Sequence, residues 1–411
     1  MVVTRKLFLI LDILMLAGCS AAAASVPPLV IVPGLGGSVL RAKLNHLPKY
    51  RDCARNSNEF TIWASVTQGV TRYDCFLRNF ELVLGKANNS VSNHTGVEIF
   101  PYDFGGTKGV EYSNAGTHEI PIPYMESFIS ALHNLGWVSG KSVRAATYDF
   151  RAAGDPKALA YQYSRLRELI EDTARINGGQ RVHLMSHSLG GPYLNLFLNL
   201  ETESWREKFV ASHIAISGAW LGAVTAIEGI LSGPQYDNVP QFLPKLMVPA
   251  IRSFPSIAWM FPLVAADGTD VWGDEKFVVT PTRSFSLSNI ADLIADTNST
   301  VIAATWEAMK TFTAKATQDA GVDTLCLHAN DTKTDVSIKM PDDKFSEKGK
   351  ATKQTFGDGT VPIASLEFCG TWRRSTLHPI RFGGSLAAHT AIVQSKDAID
   401  AILKWLLSSN K

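Results

Sequence analysis

A serine hydroxyl becomes a nucleophile only when a base takes its proton, and the base holds the right tautomer only when an acid anchors its other nitrogen. Three stretches of this chain could supply such a set. "RVHLMSHSLGGPYLNLFLN" (181–199) runs from an apolar strand through Ser186, His187, Ser188, Leu189 and Gly190 into a helix that opens on two glycines. This has the form of the G-x-S-x-G turn that lifts a serine Oγ clear of a sheet, which requires small residues two before and two after the nucleophile. Ser186 stands where glycine is usual, and serine is still small. "FGDGTVPIAS" (356–365) sets Asp358 between two glycines at a strand end, and "FGGSLAAHTAIVQS" (382–395) sets His389 between the strand "LHPIRF" and the last helix. Serine, then acid, then histidine is the chain order used on sheets that carry this turn. His378 is nearer to Asp358, but it precedes Pro379 inside the strand and is the weaker choice of base.

Acyl transfer also needs donors for the tetrahedral oxyanion. The Leu189 N–H, at the helix start, is one. The loop "VPGLGGSVL" (32–40) follows an early strand, and its glycines let backbone approach an ester oxygen, so the Leu35 N–H is the expected second donor. A phosphate loop fits worse, because no Lys-Ser/Thr follows and the G-x-G-x-x-G spacing is absent.

The elements that must hold these groups alternate along the chain. Apolar runs at 28–34, 142–150, 181–185, 213–217 and 323–329 read as buried strands, while 157–176 (Leu159, Tyr163, Leu166, Ile170) and 397–407 carry helical spacing. The alternation predicts an α/β fold with a mostly parallel sheet covered on both faces. Residues 44–120 and the proline-broken 220–275 interrupt the rhythm and read as insertions at the sheet's carboxyl end.

Composition narrows the partners. Of 411 residues, 45% are hydrophobic, enough for a large core, and 39 Lys plus Arg against 38 Asp plus Glu demand no nucleic-acid surface. Residues 1–25 show a basic start, an apolar run and small residues, the pattern of a signal peptide; "LAGC" ending at Cys19 also fits a lipoprotein cleavage box. The remaining cysteines, Cys53, Cys75, Cys326 and Cys369, are even in number, which behind a signal peptide suggests two disulfides. Three connectivities exist; pairing near neighbours, Cys53 with Cys75 and Cys326 with Cys369, is the expected one, with free core cysteines as the alternative. Sequons at Asn88, Asn93, Asn298 and Asn330 agree with a secretory route. No C-x-x-C or H-E-x-x-H is present, so neither a metal nor another cofactor is expected, and the sequence assigns no oligomeric state.

With these residues in place, the chain resembles the lecithin:cholesterol acyltransferase family, which includes lysosomal phospholipase A. The likeness spans most of the chain and rests on "VPGLGGSVLRAKL" (32–44), "FTIW" (60–63), "YDFR" (148–151), "SHSLGG" (186–191), "WMFP" (259–262), "GDGTV" (357–361) and "EFCG" (367–370). It implies an α/β-hydrolase core (26–43, 121–219, 276–411), a cap or lid (220–275) and a small disulfide-closed membrane-binding insertion (44–120). The implied activity is cleavage of phospholipid acyl esters through an acyl-serine, with transfer of the acyl group to water or a lipid alcohol. Implied partners are a phospholipid membrane or lipoprotein surface and a lipid alcohol or sterol acceptor; the implied location is secreted or lysosomal/vacuolar. Trp63 matches the family position that meets lipid, and with Phe60 and Ile62 it is expected to stand exposed for insertion into a bilayer interface. Asp149 and Arg151 are expected to form a buried pair supporting the site. One departure is "GLGG" (34–37), more glycine-rich than the family's "GxLGN", which leaves the loop's exact donor open. Other readings are a sterol acyltransferase as the main activity, a catalytically silent lipid-binding protein and a neutral-lipid lipase.

Overall fold

The computed structural model describes residues 26–85, 90–233, 242–385 and 388–408. The proposed signal peptide, Cys19 and the sequon asparagine Asn88 lie outside them.

Six parallel strands lie side by side in the order Ser375–Ile380, Thr324–Ala329, Val210–Ile216, Val182–His187, Leu29–Val32 and Val143–Ala145. Side chains on a strand alternate between faces, and Leu29–Val32 obeys this with apolar residues on both. Leu29 and Ile31 join a core with Phe128, Ile129 and Leu132 of the helix Glu126–Asn134 and with Ile399, Ile402 and Leu406 of Lys396–Ser408. Val30 and Val32 join the opposite core with Leu166, Leu169 and Ile170 of Pro156–Ile176 and Leu194 and Phe197 of Gly190–Leu200. Burial on both faces explains why these strands read as unbroken apolar runs. The helix Pro156–Ile176 starts where Asp155 Oδ1 accepts the Ala158 N–H at 2.9 Å, with proline in the first turn.

The chain enters the sheet at Leu29–Val32, adds Val143–Ala145 on one side, then crosses to add Val182–His187 on the other. That reversal is the switch point beside which open α/β sheets build their sites, at the carboxyl ends of the strands. With helices on both faces and a serine turn at this point, the architecture is the α/β-hydrolase fold.

The 44–120 insertion and the strand Leu40–Leu44 form a three-stranded antiparallel sheet, with Leu40–Leu44 between Phe60–Trp63 and Val97–Pro101. The Cys53–Cys75 disulfide, with 5.5 Å between the Cα atoms, ties the loop ahead of Phe60–Trp63 to the helix Tyr73–Phe80. Cys326–Cys369 joins a central strand to the turn 367–371. In the 220–275 segment the described residues form the helices Val224–Ser232, Phe242–Ile251 and Pro255–Trp259.

Residues 276–411 also carry strands outside the six-stranded sheet. Ser284–Phe285, Val278–Val279, Thr332–Lys339 and Lys350–Gly357 make a separate four-stranded sheet, and Val224–Ser232 packs against it. The signal was faint because "KATKQTFG" (350–357) is almost wholly exposed and carries hardly an apolar residue, leaving no period-two pattern to read.

Candidate active site

Ser188 follows the strand Val182–His187 with φ +54°, in the left-handed region that a strained strand-to-helix turn requires. The small-residue rule has a measurable cause at Gly190, where a Cβ would sit 2.6 Å from Val32 O and 2.7 Å from Pro33 O. Ser186 is tolerated for a different reason: its buried Oγ is hydrogen-bonded to His213 Nε2 at 2.7 Å.

His389 lies in the helical turn Ala388–Ala391. Its Nε2 is 2.9 Å from Ser188 Oγ, and its Nδ1 is 2.7 Å from Asp358 Oδ2. Asp358 reaches this place by an excursion. The chain leaves the core strand Thr324–Ala329, runs out and back through Thr332–Lys339 and Lys350–Gly357, and bridges Asp358 to Thr332 beside the strand it left. Asp358 Oδ1 accepts the Thr360 N–H at 3.0 Å and the Val361 N–H at 2.7 Å. Complete burial alone would raise this carboxyl, but the adjacent His389 and those N–H donors outweigh it and hold it below the usual carboxylate range. An ionised acid against Nδ1 keeps that nitrogen protonated and leaves Nε2 free to accept from Ser188. His378 takes no part; it is exposed on the edge strand Ser375–Ile380.

Residues 34–37 form a turn pressed against the nucleophile, since a Cβ on Gly34 would stand 2.9 Å from Ser188 Cβ. Four of its polar groups are engaged: Gly34 N–H donates to Tyr124 Oη, Gly37 N–H to Gly34 O, and Gly36 O accepts from Trp63 Nε1 at 2.8 Å. The N–H groups of Leu35 and Leu189 have no hydrogen-bond partner among the described residues. No group of His, Cys, Asp and Glu side chains able to hold a metal occurs among those residues.

The structure does not hold Phe60, Ile62 and Trp63 out to solvent, which corrects that expectation. Ile62 is 1% exposed within the main core, and Phe60 and Trp63 are half-buried. Pairing of Phe60–Trp63 with Leu40–Leu44 turns the strand inward, where Trp63 stacks on Phe80 at 5.4 Å and meets Phe150 edge-on. Exposed apolar side chains lie next door. Val66 and Val70 stand out from the short helix Val66–Thr71, and Ile120, 88% exposed, and Ile122 from a nearby loop. Glu119 joins the two by accepting from Ser65 Oγ and from the N–H groups of Val66 and Thr67. Sequence reading missed these valines and isoleucines because they do not alternate with any regular period.

Arg151 is fully buried and donates four side-chain hydrogen bonds: Nε and Nη2 to the Asp149 carboxylate, Nη1 to Phe80 O and Nη2 to Asn93 Oδ1 at 2.8 Å. Of the other sequon residues, Asn298 is exposed and Asn330 half-buried.

The helix Val224–Ser232 leans on the acid loop through Thr225 Oγ1, which donates to Thr360 O at 2.9 Å. On the same helix Glu228 is buried, and burial, reinforced by Asp335 and opposed by Lys348, pushes its carboxyl up to about 7. A raised acid stabilises the fold fully below its unfolded value of 4.5, and that stability is lost as pH rises toward 7. Glu228→Gln is therefore expected to leave stability unchanged at about pH 4 and to raise it by about 3 kcal/mol at pH 7. Denaturant melts at the two pH values check this; an equal effect at both would refute it.

A sequence-family model described as "Lecithin:cholesterol acyltransferase" matches residues 59–322. "Lysosomal phospholipase A and acyltransferase" of Homo sapiens is 27% identical over 381 residues, covering 91% of this chain and 89% of that protein. "Lecithin-cholesterol acyltransferase-like 1" of Arabidopsis thaliana is 28% identical over 409 residues, covering 94% and 91%. "Phosphatidylcholine-sterol acyltransferase" of Gallus gallus is 28% identical over 355 residues, covering 85% and 82%.

Proposed function

Because the chain belongs to the lecithin:cholesterol acyltransferase family, we propose that it is a serine-dependent phospholipid acyl hydrolase and acyltransferase. The observation that carries this reading is the continuous line from Ser188 Oγ through His389 to the buried Asp358, at 2.9 and 2.7 Å. Relatives named as a phospholipase A and acyltransferase and as a phosphatidylcholine-sterol acyltransferase supply the substrate class.

In this mechanism His389 Nε2 takes the Ser188 proton as Oγ attacks the ester carbonyl of a phospholipid. The N–H groups of Leu35 and Leu189 receive the oxyanion. The intermediate collapses, the ester C–O bond breaks, and His389 returns the proton to the departing lysophospholipid oxygen. Water or a lipid alcohol then gives its proton to His389 and attacks the acyl-serine carbonyl; the acyl–Oγ bond breaks, His389 returns the proton to Ser188 Oγ, and a fatty acid or a new ester is released. Transfer exceeds hydrolysis only where the acceptor alcohol is held against the acyl-serine better than water is.

The lipid surface is met by Val66, Val70, Ile120 and Ile122, exposed apolar side chains beside the strand that reaches the oxyanion turn. Two disulfides suit an oxidising compartment, and with the lysosomal relatives they support a secretory destination, secreted or lysosomal/vacuolar. No helix among the described residues is long and apolar enough to cross a membrane.

The test is release of fatty acid from phosphatidylcholine liposomes, with and without sterol, at acidic and neutral pH. Fatty acid release supports the hydrolase, steryl ester supports transfer to sterol, and vesicle binding without ester turnover refutes the reading. In the same assay the pair Val66→Asp and Ile120→Asp is expected to reduce vesicle co-sedimentation at least about tenfold, since each change puts a charge where apolar burial contributed 1.5 kcal/mol or more. Hydrolysis of a soluble short-chain ester should stay within about twofold of wild type, a difference of less than 0.5 kcal/mol; equal losses in both assays would count against the docking surface.

A further inference from the structure

One hydrogen-bonded relay lies beneath the nucleophile and has no part in the reaction above. Gly34 N–H is 3.1 Å from Tyr124 Oη, Tyr124 Oη is 2.8 Å from His187 Nδ1, and His187 Nε2 is 2.9 Å from the main-chain oxygen of His389. The two ends fix every direction between them. A carbonyl only accepts, so His187 Nε2 carries the proton and donates to His389. Gly34 N–H only donates, so Tyr124 oxygen accepts there. In a neutral imidazole protonated at Nε2, Nδ1 must accept, and the Tyr124 hydroxyl donates to it. All three side-chain polar atoms are thus used, with Tyr124 and His187 both buried.

Packing holds the relay as tightly as bonding. A Cβ on Gly37 would lie 2.7 Å from the Tyr124 ring, and one on Gly34 would lie 3.2 Å from His187 Nδ1. The turn that carries Leu35 therefore rests on these two rings. Burial, with His389 nearby, depresses His187 to about 3, so the imidazole keeps this single protonation state through acidic and neutral pH.

We propose that Tyr124 and His187 are a positioning pair that couples the turn presenting the Leu35 N–H to the main chain of His389, so that oxyanion donor and base keep their register around Ser188. The proposal rests on the serine-esterase reading of this site. Neither side chain exchanges a proton with substrate; a shift of the donor or the base by a fraction of an ångström is what their loss produces.

The test measures the rate of fluorophosphonate labelling of Ser188 and, with a soluble ester, kcat and KM separately. Tyr124→Phe keeps the ring and removes the oxygen; it is expected to lower kcat and the labelling rate by about 10- to 100-fold, with KM little changed. His187→Ala is expected to act similarly. His187→Gln, whose amide N–H reaches the Nε2 position and restores the donor to His389 O, should recover about fivefold over His187→Ala, the size of one hydrogen bond. Because the two residues form one relay, the double variant Tyr124→Phe/His187→Ala should be little worse than His187→Ala alone. Labelling within about twofold of wild type in both single variants, fully additive losses, or losses that track the folded fraction by circular dichroism would overturn the proposal. Failure of the lipid reading looks different, since the variants would still slow labelling while wild-type protein released no fatty acid.

Discussion

Ser188→Ala is expected to abolish fluorophosphonate labelling and to lower fatty acid release from phosphatidylcholine by about 10⁴-fold or more, leaving only what binding and oxyanion donors supply. The expectation follows from the site's economy: Ser188 Oγ stands 2.9 Å from His389 Nε2, and the turn's constraints all serve to present that one oxygen. Stability should be unchanged or raised, because Ser188 sits at φ +54° for the sake of its hydroxyl, and relieving functional demands often stabilises. A mutant that labels at the wild-type rate would dismiss Ser188 as the nucleophile.

Asp358→Asn is expected to cost about 10³- to 10⁴-fold in turnover with the fold intact. The amide oxygen can still accept the Thr360 and Val361 N–H groups, which preserves the loop. Its NH₂ would face His389 Nδ1 in place of a carboxylate oxygen. That arrangement asks Nδ1 to accept, which moves the imidazole proton to Nε2, where it opposes the Ser188 hydroxyl instead of receiving its proton. Steady-state rates together with a thermal melt check this; activity within about tenfold of wild type would remove Asp358 from the role.

The site was legible where chemistry forces residue type. Small side chains around Ser188 follow from the closeness of Val32 O to Gly190, and the apolar strands follow from burial on both faces. Asp358 was found through its flanking glycines, although the strand that delivers it, Lys350–Gly357, is too polar to announce itself. Other features depend on distance in the chain. Tyr124 lies 63 residues before His187, and nothing local to either marks a shared hydrogen bond. Trp63 departs from its expected exposure for a related reason: an aromatic residue near a disulfide looks the same in sequence whether it stands free or, as here, is half-buried with its indole N–H on Gly36 O.

Arg151 bears on glycosylation. Its guanidinium uses the Asn93 side-chain oxygen as one of its acceptors, and Asn93 begins a sequon. An N-linked sugar is joined to the amide nitrogen, so the oxygen that Arg151 uses remains an acceptor whether or not the half-buried Asn93 is modified. Arg151 can therefore keep that hydrogen bond with either form of the side chain, whereas an Asn93→Ala change would take one acceptor away from a buried guanidinium.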